Sequence, residues 1–386
     1  MTFEKVKTSM ATAAKKLQHP GTISYLHPTV VGIAASTVLT LLVILGSRNL
    51  EHFDSALFGY TVASVVAFGA IAFRYAIWLQ RPATRTYFRR GLQLFFQRKK
   101  FAANAASAAT TTATNLVAQK FIFKRGTMRW LMHALIMWGC VIAAAITFPL
   151  VFGWVHFELE GDLGYRAYLF GFPLSLMQGR DIFAWIVFHG LDFSAIMVIA
   201  GCAIAIHRRL KDRGAIASQT FLLDFVPHMM LIAISVSGLM LTASSLWFEG
   251  YMYSFIALVH QATVIMTLFY LPFGKLFHVV QRPASIGVEL YQRRSREMPQ
   301  AVCPRCKTEF VGQMWIDDLK KVVGELGFDY RMENGQTLQD YCPRCKRIMR
   351  GLSYANLSKK DEPVFYGTRA EINHEDTRSF HEEIQK

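Results

Sequence analysis

Two kinds of residue in this chain are spaced for chemistry: histidines set into apolar stretches, and cysteines in two Cys-x-x-Cys pairs. His260 and His278 lie in the run YSFIALVHQATVIMTLFYLPFGKLFHVVQRP, residues 253 to 283. An ionisable group inside a stretch apolar enough to span a bilayer is costly and marks a partnered or functional position. The two are eighteen residues apart. At about 3.6 residues per turn that is five turns, so on a continuous helix both rings share one face, about 27 Å apart along the axis. One ring then sits near each side of a membrane. Histidines at two depths suit two b-type haems, each iron held by two neutral imidazoles. The plainer reading gives His260 an interhelical hydrogen bond and lets His278 snorkel to the headgroups.

The haem reading requires partner histidines at matching depths. His133 lies in KRGTMRWLMHALIMWG, about one turn inside a basic boundary and near the depth of His278. Arg129, four residues earlier on the same face, is placed to pair with a haem propionate. Gly139 and the run Ala143, Ala144 and Ala145 leave room for a flat macrocycle or serve close helix packing. His189, about two turns into the fourth apolar block, matches His260 and makes an outer pair with it. His228, just after Pro227, competes with His133 for the inner position or binds a quinone carbonyl. His207 opens HRRLKDR and reads as an interfacial cation, and His52, between the first two blocks, reads as solvated.

The cysteine pairs lie in CPRCKTEF (303–310) and YCPRCKRIM (341–349), with thirty-five residues between them. Each pair forms a knuckle that offers two thiolates to a tetrahedral metal, so Cys303, Cys306, Cys342 and Cys345 are the expected ligands. Arg305, Lys307, Arg344 and Lys346 offset the charge of four thiolates. Zinc and a single rubredoxin-like iron both fit. Rubredoxin-type knuckles place Gly after the second Cys, where this chain has Lys307 and Lys346, so structural zinc is favoured and iron is the alternative. Cys140 and Cys202 stand alone in apolar blocks and read as packing residues.

The elements that position these groups follow from composition. The chain has 386 residues, 52% of them hydrophobic, and a mean hydropathy of +0.25. Its apolar residues come in blocks, which excludes an ordinary soluble enzyme. Six spans are expected: Val30 to Gly46, Leu57 to Leu79, Trp130 to Gly153, Ile182 to Ile206, Phe221 to Leu246 and Tyr253 to Val280. The first, at 17 residues, is short for a crossing. Net charge is +15, which suggests nucleic acid until its distribution is followed. With the N-terminus inside, the first three inner segments carry nineteen Lys and Arg and the outer loops three. The positive-inside rule thus places both termini in the cytoplasm of a bacterial-type inner membrane. The outer loop with Glu158, Glu160 and Asp162 is acidic. The polar, basic start shows no cleavable signal.

The expected fold is an all-α integral membrane helical bundle with a small cytoplasmic metal-knuckle domain. Residues 1–29 form a basic N-terminal segment, with Lys5, Lys7, Lys15 and Lys16 against anionic headgroups. Residues 30–80 are two accessory spans, and 81–128 a basic cytoplasmic linker. The linker is an interfacial helix, a docking surface or a solvated connection. Residues 129–283 are the four-helix haem-binding core, 284–360 the four-cysteine domain, with a helix from Trp315 to Glu325, and 361–386 a charged tail.

At LFYLPFGKLFHVVQRP the chain resembles the cytochrome b, or gamma, subunit of membrane-bound respiratory nitrate reductase. It is also similar to the membrane cytochromes of sulfite-reducing and heterodisulfide-reductase-type complexes. The shared pattern is a His eighteen residues before a second His that closes a Pro-Phe-x-basic-Leu-x-His run: here His260, then Pro272, Phe273, Lys275, Leu276 and His278. The family's first ligand helix opens with a His after a basic patch, matched by His133 after Arg129. The resemblance covers spans three to six. It implies a quinol-linked dihaem conduit with His133 and His278 on the cytoplasmic-side haem. Ala143 stands where the family has its other ligand, so either His189 replaces it or the outer haem is absent.

The function expected is a haem b subunit passing electrons between membrane quinone and a cytoplasmic iron–sulfur or flavin subunit. No Cys-x-x-Cys-His motif is present, so haem is held non-covalently, and no Gly-x-Gly-x-x-Gly fingerprint offers a nucleotide site. No nucleic-acid partner is expected. The rivals are a six-span transporter with a histidine proton or metal relay and a regulatory zinc domain, and a scaffold that anchors a soluble enzyme. Few acids in spans three to six, chiefly Asp192 and Asp224, weigh against the transporter.

Overall fold

The computed structural model describes residues 23–161, 164–178, 182–332 and 334–358. The basic N-terminal lysines, Asp162, Arg180, Asp181 and the charged tail 361–386 lie outside the described residues. The chain is mostly helical, and six helices are long and apolar enough to cross a membrane: Leu26–Gly46, Ser55–Gln80, Thr127–Val151, Gly190–Lys211, Phe221–Trp247 and Tyr253–Phe273. The first has 21 residues. It is longer than its apolar core suggests, because Pro28 is tolerated in the first turn and the helix starts at Leu26. The long helices are α1 (Leu26–Gly46), α2 (Phe58–Gln80), α3 (Pro82–Phe95), α4 (Phe101–Thr111) and α5 (Thr127–Val151). Strands β1 (Val155–Glu160), β2 (Gly164–Leu169) and β3 (Phe172–Gln178) follow, then α6 (Ile182–Phe188), α7 (Gly190–Lys211), α8 (Val226–Trp247), α9 (Tyr253–Phe273) and α10 (Ser285–Glu297). The chain closes with β4 (Gln300–Val302), β5 (Glu309–Gly312), α11 (Gln313–Glu325) and α12 (Pro343–Ser358). It divides into a span unit, residues 24–78 with 109–285, and a second unit that includes 79–108 and 286–358.

In the span unit, large apolar residues such as Leu26, Ile33, Leu45, Phe255 and Leu258 point outward, while Ala63, Ser64, Ala67, Ser194, Ala195 and Ala205 are buried. That inversion suits helices solvated by lipid, which associate through small residues that let backbones approach. Gly139 belongs to this packing. A Cβ there would lie 2.7 Å from Val198 and 2.8 Å from the Ser194 carbonyl, so α5 presses on α7 at this point and leaves no gap for a ring. Gly201 does the same against Ile136 and the Met132 carbonyl.

Three expectations need correction. The sixth span does not run on to Val280: α9 stops at Phe273, where Pro272 lacks an N–H and Gly274 turns extended. The freed Pro272 carbonyl accepts from Arg74, whose guanidinium also lies 4.4 Å from the Phe277 ring centroid. His278 therefore sits beyond a break, in the short helix His278–Gln281, and the five-turn count from His260 does not apply. The fourth span bends at His189, which joins α6 to α7 with φ −97° and ψ 5°, although Phe193 N–H still reaches the His189 carbonyl. The fold is also not all-α. The acidic loop between spans three and four is an antiparallel sheet, β1–β2–β3, with a bulge between Arg166 and Tyr168.

Asp224, in the irregular turn Phe221–Phe225 that starts the fifth span, is 4% exposed. It accepts from Arg209 at the end of α7 (2.8 Å), Lys275 in the turn after α9 (2.6 Å) and the Thr220 N–H (3.0 Å). Three chain segments meet on this one carboxylate. An unpaired charge in such surroundings would be costly, and two cations with a backbone N–H complete its shell.

In the second unit, residues 82–95 are a packed helix and not a free linker. Gly91 on α3 meets Gly287 on α10 so closely that a Cβ would lie 2.8 Å from Cα. Buried Asp318 on α11 accepts from Arg90 through two bonds (2.8 and 3.0 Å) and from the buried Tyr291 hydroxyl (2.9 Å). Burial, with the Asp318 carboxylate beside it, pushes the Tyr291 phenol far above its usual range. Asp318→Ala leaves the buried Tyr291 hydroxyl without its acceptor and is expected to lower stability by about 2–3 kcal/mol. Glu325→Ala, which breaks the half-exposed pair with Arg85, should cost no more than about 0.5 kcal/mol. Pulse proteolysis of the full chain in urea compares the two.

Candidate functional site

Each candidate histidine commits one ring nitrogen to a fixed acceptor. His133 Nδ1–H donates to Gln119 Oε1 (2.8 Å), and the amide nitrogen of Gln119 points to Met137 Sδ (2.8 Å). His278 Nδ1–H donates to the Lys275 carbonyl (2.6 Å), and His228 Nδ1–H to the Asp224 carbonyl (2.7 Å). His189 Nδ1–H donates to Asp192 Oδ2 (2.9 Å), whose other oxygen accepts from Thr242 on α8 (2.7 Å). The Ser237 hydroxyl donates to the Ala233 carbonyl (2.7 Å), so its oxygen accepts from His260 Nδ1–H (2.9 Å). With Nδ1 protonated, the neutral ring presents its lone pair at Nε2. This is the arrangement by which an outer partner sets the tautomer and orientation of a metal-ligating imidazole.

The structure brings His133 to His278. Their ring centroids are 6.4 Å apart and the planes cross at 65°. Two metal–nitrogen bonds of about 2 Å, with the ring radii added, span roughly 6 Å, so the separation fits one metal held between two imidazoles. His228 stays on its own helix turn and makes no ring contact with His278 among the described residues. Nor do His189 and His260 meet: His189 packs on Trp185 at 5.1 Å, and His260 faces Ser237 and Gly238. Arg129 is exposed in the first turn of α5 and His207 is exposed near the end of α7. His133 and His278 are thus brought together, and His189 and His260 are not.

Several residues that hold these rings carry no sequence signal. Gln119 is 2% exposed, has a left-handed backbone (φ 52°) and lies fourteen residues before His133, outside its helix. Ser237 and Thr242 look like ordinary packing residues of an apolar helix. His52 was expected in solvent, but its ring stacks on His156 at 4.1 Å.

The four cysteines converge. The β4–β5 hairpin carries the first pair, with Cys303 N–H on the Thr308 carbonyl (3.0 Å) and Lys307 N–H on the Cys303 carbonyl (2.9 Å). Lys307 takes φ +60° to close this knuckle, a left-handed position that a Gly would occupy more cheaply. The second pair is built differently: Cys342 precedes α12 and Cys345 lies in its first turn, where Cys345 N–H points to Cys342 Sγ (3.4 Å). Cys342 N–H points to Cys303 Sγ (3.4 Å), and Cys306 Sγ lies 3.7 Å from Cys342 Sγ. A tetrahedron with metal–sulfur bonds near 2.3 Å has edges of about 3.8 Å. All four sulfurs lie within 4.8 Å of one another, so this cluster is able to bind a metal ion. Tyr341, Phe310, Met332 and Met349 pack around it.

Hydrogen bonds from Thr308 bring the Cys306 thiol down to about 6. Burial pushes Cys303 up, but backbone N–H groups of Cys306 and Cys342 outweigh it and the net shift is downward. Burial raises Cys345 to about 12, a cost that a bound cation removes. A depressed folded-state thiol contributes stability that is complete above its unfolded value, about 8.5, and lost as pH falls through about 6. Metal retention should therefore fall steeply below about pH 6. Cys345→Ser is expected to weaken metal binding at least ~100-fold, beyond the usual effect of outer-shell partners. Elemental analysis of the full-length protein after dialysis at stepped pH measures both.

No family model, no curated protein and no solved structure matches this chain.

Proposed function

We propose that this protein is a haem b membrane subunit of a quinone-linked respiratory oxidoreductase. In this reading it passes electrons between membrane quinol and a cytoplasmic iron–sulfur or flavin subunit, with both termini on the cytoplasmic side. The observation that carries the proposal is the His133–His278 pair, two imidazoles 6.4 Å apart with both Nδ1 atoms spent on acceptors. These two residues would hold a haem whose iron supplies one-electron chemistry. Gln119 and the Lys275 carbonyl take each Nδ1–H, which would leave each Nε2 free as a ligand, and Arg129 and Arg282, the latter close enough to His133 for its charge to act on that ring, would supply positive charge for propionates.

For the cysteine cluster we infer structural zinc. The asymmetry of its two halves supports this: one knuckle on a hairpin, one on the first turn of a helix, where the two like knuckles of a rubredoxin-type iron are absent. The helix N-terminus adds partial positive charge beside the thiolates of Cys342 and Cys345. Its role is to join the hairpin to α12 and so complete a small core.

A reduced-minus-oxidised visible spectrum of the purified full-length protein tests the haem assignment. Haem bands that His278→Ala abolishes are expected, and a spectrum without haem bands overturns it in favour of a transporter or scaffold. Gln119→Leu should retain haem but shift the midpoint potential and its pH dependence, because the His133 ring loses its Nδ1 acceptor. A Gln119→Glu variant, which restores the Nδ1 acceptor and adds a negative charge, should retain haem with a lower potential than the wild type. A purely structural role for Gln119 would leave the potential unmoved.

A further inference from the structure

His52, His156 and Glu158 lie together at the end of the span unit that carries the sheet. Their ligand atoms are all within 4.8 Å of one another. His156 and Glu158 are two residues apart on β1 and so share one face of the strand. Tyr168, the register partner of His156 on β2, stacks on its ring at 4.8 Å with planes 4° apart. His52 approaches from the loop between α1 and α2 and stacks on the other side.

The surrounding chain is built to hold this approach. Ser47 is fully buried, and its carbonyl accepts from His52 N–H (3.1 Å) while its hydroxyl donates to the Val43 carbonyl (2.7 Å). Gly153 has φ +66°, and a Cβ there would lie 2.7 Å from the His52 carbonyl oxygen, so only glycine lets β1 start this close to the loop. Trp154 pins the same corner through its indole N–H to the Leu42 carbonyl (3.1 Å).

In this fixed corner, His52 Nε2 and both ring nitrogens of His156 are buried and have no hydrogen-bond partner among the described residues. Glu158 Oε1 lies 3.5 Å from His156 Nε2, longer than an ordinary hydrogen bond. Buried imidazole nitrogens are ordinarily satisfied. Two neutral nitrogen donors and a carboxylate are the donor set of a borderline divalent cation such as zinc.

We propose that His52, His156 and Glu158 form a second metal site, for a divalent first-row transition ion of the zinc type, independent of the cysteine cluster and of the haem reading. Ligation turns the two rings out of their stack by rotation about Cβ–Cγ, because an imidazole lone pair lies in the ring plane. The ion ties the α1–α2 loop to the sheet and keeps at least one position open to water.

Cobalt(II) titration of the full-length protein in detergent tests this, because the two sites give different colours. Thiolate-bound cobalt absorbs strongly in the near ultraviolet, whereas an imidazole and carboxylate site shows only weak visible bands. Wild-type protein is expected to take up one equivalent without thiolate charge-transfer absorption. Glu158→Gln, which keeps the side chain's size at an exposed position and removes its charge, should weaken that equivalent at least tenfold, and His156→Ala should abolish it. Neither variant should alter the thiolate-bound equivalent, which also reports that the protein is folded. Absence of the equivalent in wild type, or equal uptake by wild type and both variants, overturns the proposal.

Discussion

One buried carboxylate organises the end of the span unit where α7, the start of the fifth span and the turn after α9 meet. Asp224 carries a negative charge into an apolar bundle, and Arg209 and Lys275 reach it from two other segments. Its backbone carbonyl takes the Nδ1–H of His228, and the carbonyl of its partner Lys275 takes that of His278. The same ion cluster that secures the end of α7 and the turn after α9 thereby orients two of the candidate histidines. The cost of leaving the buried Asp224 carboxylate unpaired holds Arg209 and Lys275 to it, and so steadies the two backbone carbonyls that accept from these rings.

The break after α9 is part of this design. Were the helix continuous, His278 would face wherever its position on the wheel put it. Pro272 and Gly274 end the helix instead, Arg74 takes up the released carbonyl, and the chain re-enters a short helical turn with His278 at its start. His133 arrives from α5, its ring turned by Gln119. The close approach of α5 to α7 at Gly139 and Gly201 then sets where that ring stands in the bundle.

The cysteine unit solves a different problem. It is a small core, and Arg90, Asp318 and Tyr291 already draw three helices together in it. The four sulfurs add a second anchor between the hairpin and α12. One side of that anchor uses a strained left-handed lysine and the other the first turn of a helix, so the two identical Cys-Pro-Arg-Cys motifs end in different backbones.

Much of this was written in local pattern. Block hydropathy marked six spans because a bilayer demands about twenty apolar residues in a row, and the paired Cys-x-x-Cys motifs marked a four-sulfur cluster because two thiolates per knuckle need only short-range geometry. His133 and His278 stood out because an ionisable side chain in an apolar block is conspicuous. What local pattern does not carry is long-range partnership. Gln119 for His133, Asp192 for Thr242, Asp224 for Lys275 and His52 for His156 join residues that only packing brings near, and nothing at either position announces the other. Block hydropathy does not register the sheet between spans three and four, because strands of six or seven residues are too short to stand out beside twenty-residue spans. Sequence by itself therefore determined the spans, the cysteine cluster and the identity of the candidate ligands, since each depends on residues near one another in the chain. Tertiary structure alone decided which histidines meet, which nitrogen each one spends, and where the sixth span ends, since those depend on acceptors and cations delivered from other helices.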